Sequence, residues 1–513
     1  TARAASRELL AVRQLDCAFR MYRYNGVSIQ VVGHFGHSED ARKENVMKTR
    51  GKACIEKLES RVLLSAWSTV DSFQLVAGQR AGALAMTADP AGNAYAAGTA
   101  SGHGVVREKS SGGTSWTTIE DLPAASFFGM AVDAAGDVFV SGSNNTGYGI
   151  VLERVAGQAA FSQVDSFIGS AGYGTLSAGV AADTAGNVYA AGYTLERVST
   201  GKRSSTNLYS EVVRERPAGA SVVSTVDHFS ENSGLPTFGH GVTVIGGGAS
   251  AGVYVIGYYN NSNDHWLVRK SSDSGKTWST VDDFVSGTSN AQANAVTGDA
   301  FGNVYVVGQA SGQWIVRKSA NGGASWSINH DYQLSPSYTG DQASAIGADL
   351  AGNVYVVGSA NDANGCHSIV RSNAGGSWAT VDDFNSYAAG AGFTVDSNGN
   401  LYACGRYGSG NLNWFVRSLP AAPTNLTATP DPTLPSSQID LSWTNTAGSD
   451  ETGFAIYRST DGINFTAVAT VGSGATSYND SGLLAGTTYF YYVVALLNAT
   501  GASAPSNTAS ATT

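Results

Sequence analysis

A ten-residue phrase that recurs along the chain restricts the possible fold more than any other feature. Its clearest copy, Asp349–Gly358, reads Asp-Leu-Ala-Gly-Asn-Val-Tyr-Val-Val-Gly, a turn followed by a short strand that stops at glycine. With five further copies and one degraded copy there are seven in all, the others being Asp89–Gly98, Asp133–Gly142, Asp183–Gly192, Asp299–Gly308, Asp396–Gly405 and the degraded Ser250–Gly257. Such repetition indicates a chain built from small, similar β-sheets.

Two other phrases alternate with the first. One is clearest at Trp278–Phe284 (Trp-Ser-Thr-Val-Asp-Asp-Phe), and the other is a short strand that ends in arginine. The arginines, one in each repeat, are Arg107, Arg154, Arg214, Arg269, Arg317, Arg371 and Arg417. Successive turn glycines, from Gly92 to Gly399, are spaced 44, 50, 66, 50, 50 and 47 residues apart. This period, with several short strands in each repeat, is typical of a β-propeller.

The order of the phrases predicts how the array ends. Residues 67–73 carry only the outer-strand phrase and residues 412–418 only the third-strand phrase, so neither end is a whole repeat. We expect the first strand to pair onto the last three, which closes the ring through hydrogen bonds and removes an exposed edge. The sequence therefore predicts an all-β fold with a seven-bladed β-propeller over residues 67–419, closed by its N-terminal strand.

Charge and composition exclude some classes of partner. The chain has a net charge of −10, with residues 1–66 at about +5 and the remainder at about −15. An acidic, lysine-poor body argues against nucleic acid or an anionic membrane as partner. No apolar run approaches the roughly 20 residues of a transmembrane helix.

Four cysteines, Cys17, Cys54, Cys366 and Cys404, give little information about redox state. Cys366 and Cys404 lie in adjacent repeats, so they could meet in a disulfide or remain free thiols.

Residues 1–66 form a basic segment that we expect to be weakly ordered. Within it, residues 55–66 resemble the short Leu-Glu-Pro-Arg-x-Leu-Leu motif near the N-terminus of many large surface proteins of planctomycete-type bacteria. The matching residues are Leu58, Glu59, Arg61, Leu63 and Leu64, and Ser60 replaces the usual proline. The resemblance implies export toward the cell surface; the alternative is a small amphipathic helix.

Five prolines within residues 420–435 mark a linker and the start of a second domain, residues 420–513. This region resembles a fibronectin type III domain, a β-sandwich, along its whole length. The matching stretches are Pro423–Ala428, Ile439–Trp443, Phe454–Arg458 and Leu484–Tyr489. The resemblance implies that Trp443 is the core tryptophan and that Tyr489 forms the tyrosine corner, its hydroxyl bonded to upstream backbone.

The stretch Ser271-Ser-Asp-Ser-Gly-Lys-Thr-Trp278 resembles the Asp-box of sialidases and related propellers. The fixed positions of that box are matched by Ser271, Asp273, Gly275, Thr277 and Trp278. In the families that carry it, the box lies away from the catalytic pocket. We therefore interpret it as structural: the aspartate caps the turn and the tryptophan packs between blades.

The repeated arginines allow two interpretations. Sialidases bind a substrate carboxylate with three arginines, which favours a sialidase-like site. However, Arg269, Arg317 and the others occupy one equivalent place in every repeat, whereas a substrate site must break that symmetry. We favour a structural, cross-strand pairing of each arginine with the acidic position on the neighbouring outer strand, for example Asp282. His330 takes the acidic place in one repeat, so that repeat should differ.

The repeat decays around residues 194–260, and we expect function there. The longest spacing contains an insertion near Thr194–Asn207, predicted to be a protruding loop and a candidate binding feature. The aromatic residues of the loops, Tyr258, Tyr259, Trp266, Trp314 and Trp414, could stack against sugars or fill the core of the blades, and the core is the favoured interpretation.

No catalytic signature, cofactor motif or metal-ligand spacing stands out, and the Asp-x-x-Gly-Asn turns supply too few oxygens for a calcium loop. The phrase also resembles bacterial SBBP-type propeller repeats, which implies no activity. We therefore predict an exported binding or adhesion protein, secreted or at the cell surface, without enzymatic activity or cofactor. Its propeller would be a rigid scaffold for polysaccharide or a surface protein, and we expect a monomer. The alternative is a sialidase-like glycoside hydrolase.

Overall fold

The computed structural model describes residues 19–24, 27–32, 67–113, 115–172, 176–201, 204–231, 234–246, 251–287, 289–349, 351–374, 376–385, 387–409, 412–446, 451–497 and 501–513. The chain divides into two units, Thr1–Val62 and Leu63–Thr513. Every regular element in the described residues is a β-strand. In the first unit, β1 (Phe19–Tyr24) and β2 (Val27–Val32) form an antiparallel pair. The predicted export motif lies outside the described residues.

In the second unit, the described residues from 67 to 419 form seven four-stranded sheets. The first strand, β3, is Ser68–Phe73. Sheet 1 contains β4 (Ala81–Ala88), β5 (Ala94–Ala100), β6 (His103–Lys109) and β7 (Thr117–Pro123). Sheet 2 contains β8 (Ala125–Val132), β9 (Val138–Asn144), β10 (Gly149–Arg154) and β11 (Ser162–Phe167). Sheet 3 contains β12 (Leu176–Ala182), β13 (Val188–Gly201), β14 (Ser204–Arg216) and β15 (Ser224–Phe229).

The next three sheets continue the same order. Sheet 4 contains β16 (Thr237–Ile245), β17 (Gly252–Asn261), β18 (Asn263–Ser271) and β19 (Ser279–Phe284). Sheet 5 contains β20 (Ala291–Gly298), β21 (Val304–Ala310), β22 (Gln313–Ser319) and β23 (Ser327–Tyr332). Sheet 6 contains β24 (Gln342–Ala348), β25 (Val354–Asp362), β26 (Gly365–Ser372) and β27 (Ala379–Asn385). All neighbouring strands in these sheets pair antiparallel.

Sheet 7 joins the two ends of the repeat array. It contains β28 (Ala388–Val395), β29 (Leu401–Tyr407), β30 (Asn413–Leu419) and, as its fourth strand, β3 from the beginning of the array. The register places Ser68 opposite Ser418 and Phe73 opposite Trp414. The pairing of the first strand with the last three is the arrangement that the order of the phrases predicts.

The geometry of the turn explains which residue types recur in the ten-residue phrase. Asp349 Oδ1 accepts hydrogen bonds from the backbone N–H groups of Ala351 (3.0 Å) and Asn353 (2.8 Å), and Asp349 Oδ2 accepts one from Asn353 Nδ2 (2.8 Å). Gly352 adopts a φ of +81°, which favours glycine. A Cβ on Gly358 would lie 2.1 Å from the carbonyl oxygen of Gln342, so the neighbouring strand leaves no room for a larger residue. The prediction that the strand stops at this glycine is wrong, because β25 continues to Asp362. The phrase thus specifies the turn and second strand of a β-hairpin.

The core of the array lies between successive sheets. One cluster combines Tyr95 and Val106 of sheet 1 with Phe127, Val140 and Ile150 of sheet 2, all buried. Each sheet therefore has both faces covered by its neighbours, which explains why its second strand is apolar on both sides. Cys366 and Cys404 are free thiols.

The C-terminal region forms two sheets. One contains β31 (Thr424–Pro430), β32 (Gln438–Thr444) and β35 (Ser477–Ser481). The other contains β33 (Gly453–Ser459), β34 (Thr466–Gly472), β36 (Thr488–Leu497), β37 (Gly501–Ala502) and β38 (Ala509–Thr512). Their shared core includes Trp443 and Phe454. The hydroxyl of buried Tyr489 accepts a hydrogen bond from the backbone N–H of Leu484 at 3.1 Å.

Candidate functional site

The residues that resemble an Asp-box bond to one another around a single turn. Ser271 Oγ donates to Asp273 Oδ1 and accepts from the backbone N–H of Gly275, both at 2.8 Å. Asp273 accepts from the hydroxyl (2.7 Å) and the backbone N–H (2.8 Å) of Thr277, and these bonds lower the pKa of Asp273 to about 2. Trp278 Nε1 donates to the Gly275 carbonyl at 3.0 Å. Because the turn uses these groups, the box offers little for ligand chemistry.

The repeated arginines join successive sheets. Arg317 of sheet 5 donates to both carboxylate oxygens of Asp282 in sheet 4, at 2.6 and 2.8 Å. Its guanidinium carbon also lies 4.2 Å from the centre of the Phe284 ring. Arg107 makes the same contacts with Asp71 and Phe73 of sheet 7. The prediction that these arginines pair across strands of one sheet is therefore wrong. Each such arginine contacts the aspartate and the aromatic ring on the outer strand of the preceding sheet.

Two sheets depart from this arrangement. Arg154 bonds to Glu108 and to the Tyr95 hydroxyl, not to the predicted acidic position on the preceding outer strand. Arg371 Nε donates to His330 Nε2 at 3.0 Å. Burial and the charge of Arg371 lower the pKa of His330 to about 4, so its neutral ring can accept this bond. The histidine does alter one contact, but the arginine affected is Arg371 of the next sheet, because Arg317 of the histidine's own sheet pairs with Asp282.

Most of the aromatic residues considered for sugar stacking lie in the core. Trp266, Trp314 and Trp414 are 0% exposed and Tyr259 is 4% exposed. Tyr258 differs, because its ring is only half-buried. The core interpretation therefore applies to four of these five residues, and Tyr258 alone remains available to a ligand.

The insertion near Thr194–Asn207 is a β-ribbon instead of the predicted loop. β13 and β14 stay paired far beyond the other hairpins, from Val188 opposite Arg216 to Gly201 opposite Ser204. The inserted residues of both strands continue the antiparallel ladder, so their backbone N–H and C=O groups form hydrogen bonds with each other. At its base, Glu196 Oε2 accepts a hydrogen bond from the backbone N–H of Ser170 at 2.9 Å.

Five partly exposed rings lie together at the base of this ribbon. We call them the aromatic platform: Tyr193, Tyr209, Phe238, His240 and Tyr258. The Phe238 ring stacks on Tyr258, with centres 4.9 Å apart and planes 24° apart. Phe238 also lies 4.9 Å from Tyr209 and 5.2 Å from Tyr193, and His240 lies 5.1 Å from Tyr258. The platform is a continuous aromatic surface contributed by sheets 3 and 4.

The platform breaks the symmetry of the array. Tyr193 and Tyr258 each directly follow the last glycine of the ten-residue phrase, within the second strand. The other sheets hold at this place Thr99, Ser143, Gln309, Ser359 and Arg406. Phe238 stands where sheet 5 has Gln292. The fold thus does not require aromatic residues at these places. Comparison of equivalent positions in the sequence would have found them, although loop position alone did not.

A buried glutamate lies beside the platform. Glu211 is opposite Phe229 in sheet 3, as Trp266 is opposite Phe284 in sheet 4, and it is 0% exposed. Its Oε1 accepts a long hydrogen bond from Arg269 Nη1 (3.4 Å), and its Oε2 has no hydrogen-bond partner among the described residues. Burial raises the pKa of Glu211 to about 7, although the Arg269 charge opposes that shift. Arg269 also pairs with Asp227.

Acidic turns meet at a cavity of about 410 Å³. Its lining includes Asp89, Asp133, Asp183 and Asp396, one from each of four repeats. Their carboxylates bond to their own turns, as Asp133 Oδ1 does to the backbone N–H of Ala135 at 2.9 Å. In the part of the chain that the structure describes, no group of three His, Cys, Asp or Glu residues could hold a metal ion.

No helix able to cross a bilayer occurs within the described ranges.

Comparison with known proteins identifies the C-terminal region. The fibronectin type III domain family matches residues 421–512. A Fn3-like protein from Clostridium thermocellum is 33% identical over 18% of this chain and 90% of that protein, with a TM-score of 0.16 over the whole chain. Residues 421–512 therefore belong to the fibronectin type III family.

The other similarities are partial. A β-1,2-glucanase from Parabacteroides distasonis is 28% identical over 21% of this chain and 16% of that enzyme, with a TM-score of 0.16. An oligogalacturonate lyase in complex with manganese covers 69% of this chain and 96% of its own, at 8% identity and a TM-score of 0.46. Values this low support no argument about fold or activity. No curated protein matches the chain.

Proposed function

We propose that the seven sheets of residues 67–419 are the blades of a closed β-propeller. Their four-stranded form and the period of the phrases support this proposal. The contacts between innermost strands add to it: those of successive sheets contact one another, and β28 of sheet 7 contacts β4 of sheet 1. A ring of this kind gives a rigid scaffold on which one asymmetric region can bind a ligand.

The ligand that fits the platform best is polysaccharide. A sugar ring presents C–H groups on its faces, which are attracted to the negative face of an aromatic ring, and hydroxyls around its edge. Phe238 and Tyr258 supply stacked faces, while Tyr193 and Tyr209 add hydroxyl groups. The confinement of these rings to sheets 3 and 4 is the observation that carries the proposal.

The setting of the chain agrees with an extracellular binding protein. The acidic body disfavours nucleic acid, and the export motif within residues 55–66 favours a protein that is secreted or at the cell surface. In this proposal the fibronectin type III domain acts as a spacer or adhesion module. The protein works as a monomer, without cofactor or catalytic residues.

A polysaccharide panel tests the proposal. The full chain is run by affinity electrophoresis through gels that contain β-glucan, xylan, galactomannan, alginate or polygalacturonate. Retardation by at least one polysaccharide, with no reducing sugar released, is the expected result. Uniform mobility in all gels would overturn polysaccharide binding.

A glycoside hydrolase is the second candidate, and Glu211 is the observation that favours it. A glycosidase needs one carboxylic acid with a raised pKa and a second carboxylate about 5–10 Å away. The pKa of Glu211 is raised to about 7 by burial, and Asp227 shares its arginine. Its complete burial weighs against contact with substrate. Release of reducing sugar that Glu211→Gln abolishes would establish this candidate.

A further inference from the structure

A polar groove of about 480 Å³ lies at the ends of strands in sheets 4 and 5. Its lining includes Asn290, Gln309, Ser311 and Thr339, and none of the described residues that line it carries a charge. Gln309 holds in sheet 5 the position that Tyr258 holds in sheet 4, since both directly follow the last glycine of the ten-residue phrase, within the second strand. The groove therefore occupies the next equivalent place along the array after the platform.

Asp264 links the platform to the groove. This residue is only 7% exposed, and its negative charge contributes, after burial, to raising the pKa of Tyr258 to about 12. Its backbone N–H donates to Asn290 Oδ1 at 3.0 Å, and Asn290 lines the groove. Asp264 thus contacts a groove residue through its backbone N–H, and its buried carboxylate acts electrostatically on a ring of the platform.

The same carboxylate fixes the direction of a chain of amides. Gln292 Nε2 donates to Asp264 Oδ2 at 2.5 Å, and Gln309 Nε2 donates to Gln292 Oε1 at 3.0 Å. An ionised carboxylate only accepts hydrogen bonds, so the NH₂ of Gln292 must face it and the Gln292 carbonyl must face Gln309. Among the described residues, the Gln309 carbonyl oxygen and its second N–H have no hydrogen-bond partner, so both can meet a ligand in the groove.

We propose that this groove is a hydroxyl-binding subsite for a neutral polysaccharide whose neighbouring sugar stacks on the aromatic platform. The inference rests on the proposed polysaccharide binding. An oriented amide offers one donor and one acceptor side by side, which matches a pair of adjacent sugar hydroxyls. The uncharged lining, with the negative Asp264 behind it, disfavours the carboxylates of acidic sugars.

The test compares four variants of the full chain, Gln309→Leu, Asp264→Asn, Phe238→Ala and Gln313→Leu, by affinity electrophoresis in β-glucan, xylan, galactomannan, alginate and polygalacturonate. Gln309→Leu keeps the volume but removes both polar groups, and it should weaken binding about tenfold. Asp264→Asn frees the amide chain to reverse and should weaken it severalfold. Gln313→Leu is the matched control, because Gln313 bonds to Gln333 and does not line the groove. Thermal unfolding of each variant establishes that it is folded.

The possible outcomes separate the inference from the proposed function. Retardation of the wild type by a neutral polysaccharide, reduced by Gln309→Leu and unaffected by Gln313→Leu, supports the subsite. Retardation that Phe238→Ala reduces but Gln309→Leu leaves intact overturns the subsite and preserves the platform. Binding to alginate or polygalacturonate alone also overturns it. Failure of the wild type to bind any polysaccharide overturns both.

Discussion

Glu211 of sheet 3 accepts a hydrogen bond from Arg269 of sheet 4 at 3.4 Å, in a place that is fully buried. The same arginine pairs with Asp227, so one cation faces two carboxyl groups. Burial raises the pKa of both carboxyl groups, to about 7 for Glu211. The contact between these sheets must therefore respond to pH.

Glu211→Gln should stabilise the protein at high pH only. The pKa of Glu211 is about 7 in the folded chain and near 4.5 in the unfolded chain. Stabilisation by the protonated group is fully present below pH 4.5 and is lost as the pH rises through 7, by at most about 3 kcal/mol. Chemical denaturation between pH 4 and 8 should show the gap between variant and wild type widening with pH.

Glu196→Gln is the control for that series. Although burial opposes the shift, hydrogen bonds from Ser170 hold the pKa of Glu196 below its usual value. The stability that ionised Glu196 contributes is therefore present above the pKa of the unfolded chain and is lost as the pH falls. Glu196→Gln should accordingly be less stable than the wild type at higher pH. Parallel curves for Glu211→Gln and the wild type would contradict the account of Glu211.

Arg317→Ala should destabilise the array of seven sheets more than Arg371→Ala. Removing Arg317 leaves the buried carboxylate of Asp282 without its cation, which costs about 3 kcal/mol or more. Removing Arg371 leaves only the neutral His330, at a cost of about 1 kcal/mol. Differential scanning calorimetry measures both. Equal shifts in the unfolding midpoint would show that the ion pair contributes nothing beyond packing.

Gly179→Ala should test the close approach of the innermost strands. A Cβ at Gly179 would lie 2.9 Å from the Cα of Gly241 in the next sheet, so sheets 3 and 4 would have to separate. We expect a loss of about 1–3 kcal/mol in thermal unfolding. Gly246→Ala, where an added Cβ meets nothing within 4 Å, is the matched control and should leave the midpoint unchanged. A tolerated Gly179→Ala would argue against this packing.

Much of the fold could be predicted because its signals are local. The turn Asp349–Asn353 carries its own hydrogen bonds, and the incomplete phrases at the two ends predict that β3 joins β30. Contacts between sheets were harder to predict. Phrase order shows which strands are neighbours in a sheet, but the partner of Arg317 depends on how one sheet packs on the next. Pairing within a sheet therefore does not predict that Arg317 meets Asp282.

The candidate site was only located in outline. Decay of the repeat pointed to residues 194–260, yet it did not distinguish buried Trp266 from half-buried Tyr258, which lie in paired strands. The two residues stand opposite each other in the register, so their different exposure depends on what packs over each strand in the folded array, which composition does not reveal. The sequence did not indicate Glu211, because no motif marks this residue. Its place in the sheet is known only from its pairing with Phe229.

Affinity electrophoresis of the wild type and Tyr258→Ala in the same polysaccharide gel tests the central claim most directly. Loss of one stacked ring should weaken binding about tenfold or more, with the unfolding midpoint nearly unchanged because Tyr258 is only half-buried. Tyr492→Ala, which removes a stacked ring from the fibronectin type III domain, is the matched control and should bind as the wild type does. Equal retardation of Tyr258→Ala and the wild type would contradict the assignment of binding to the platform.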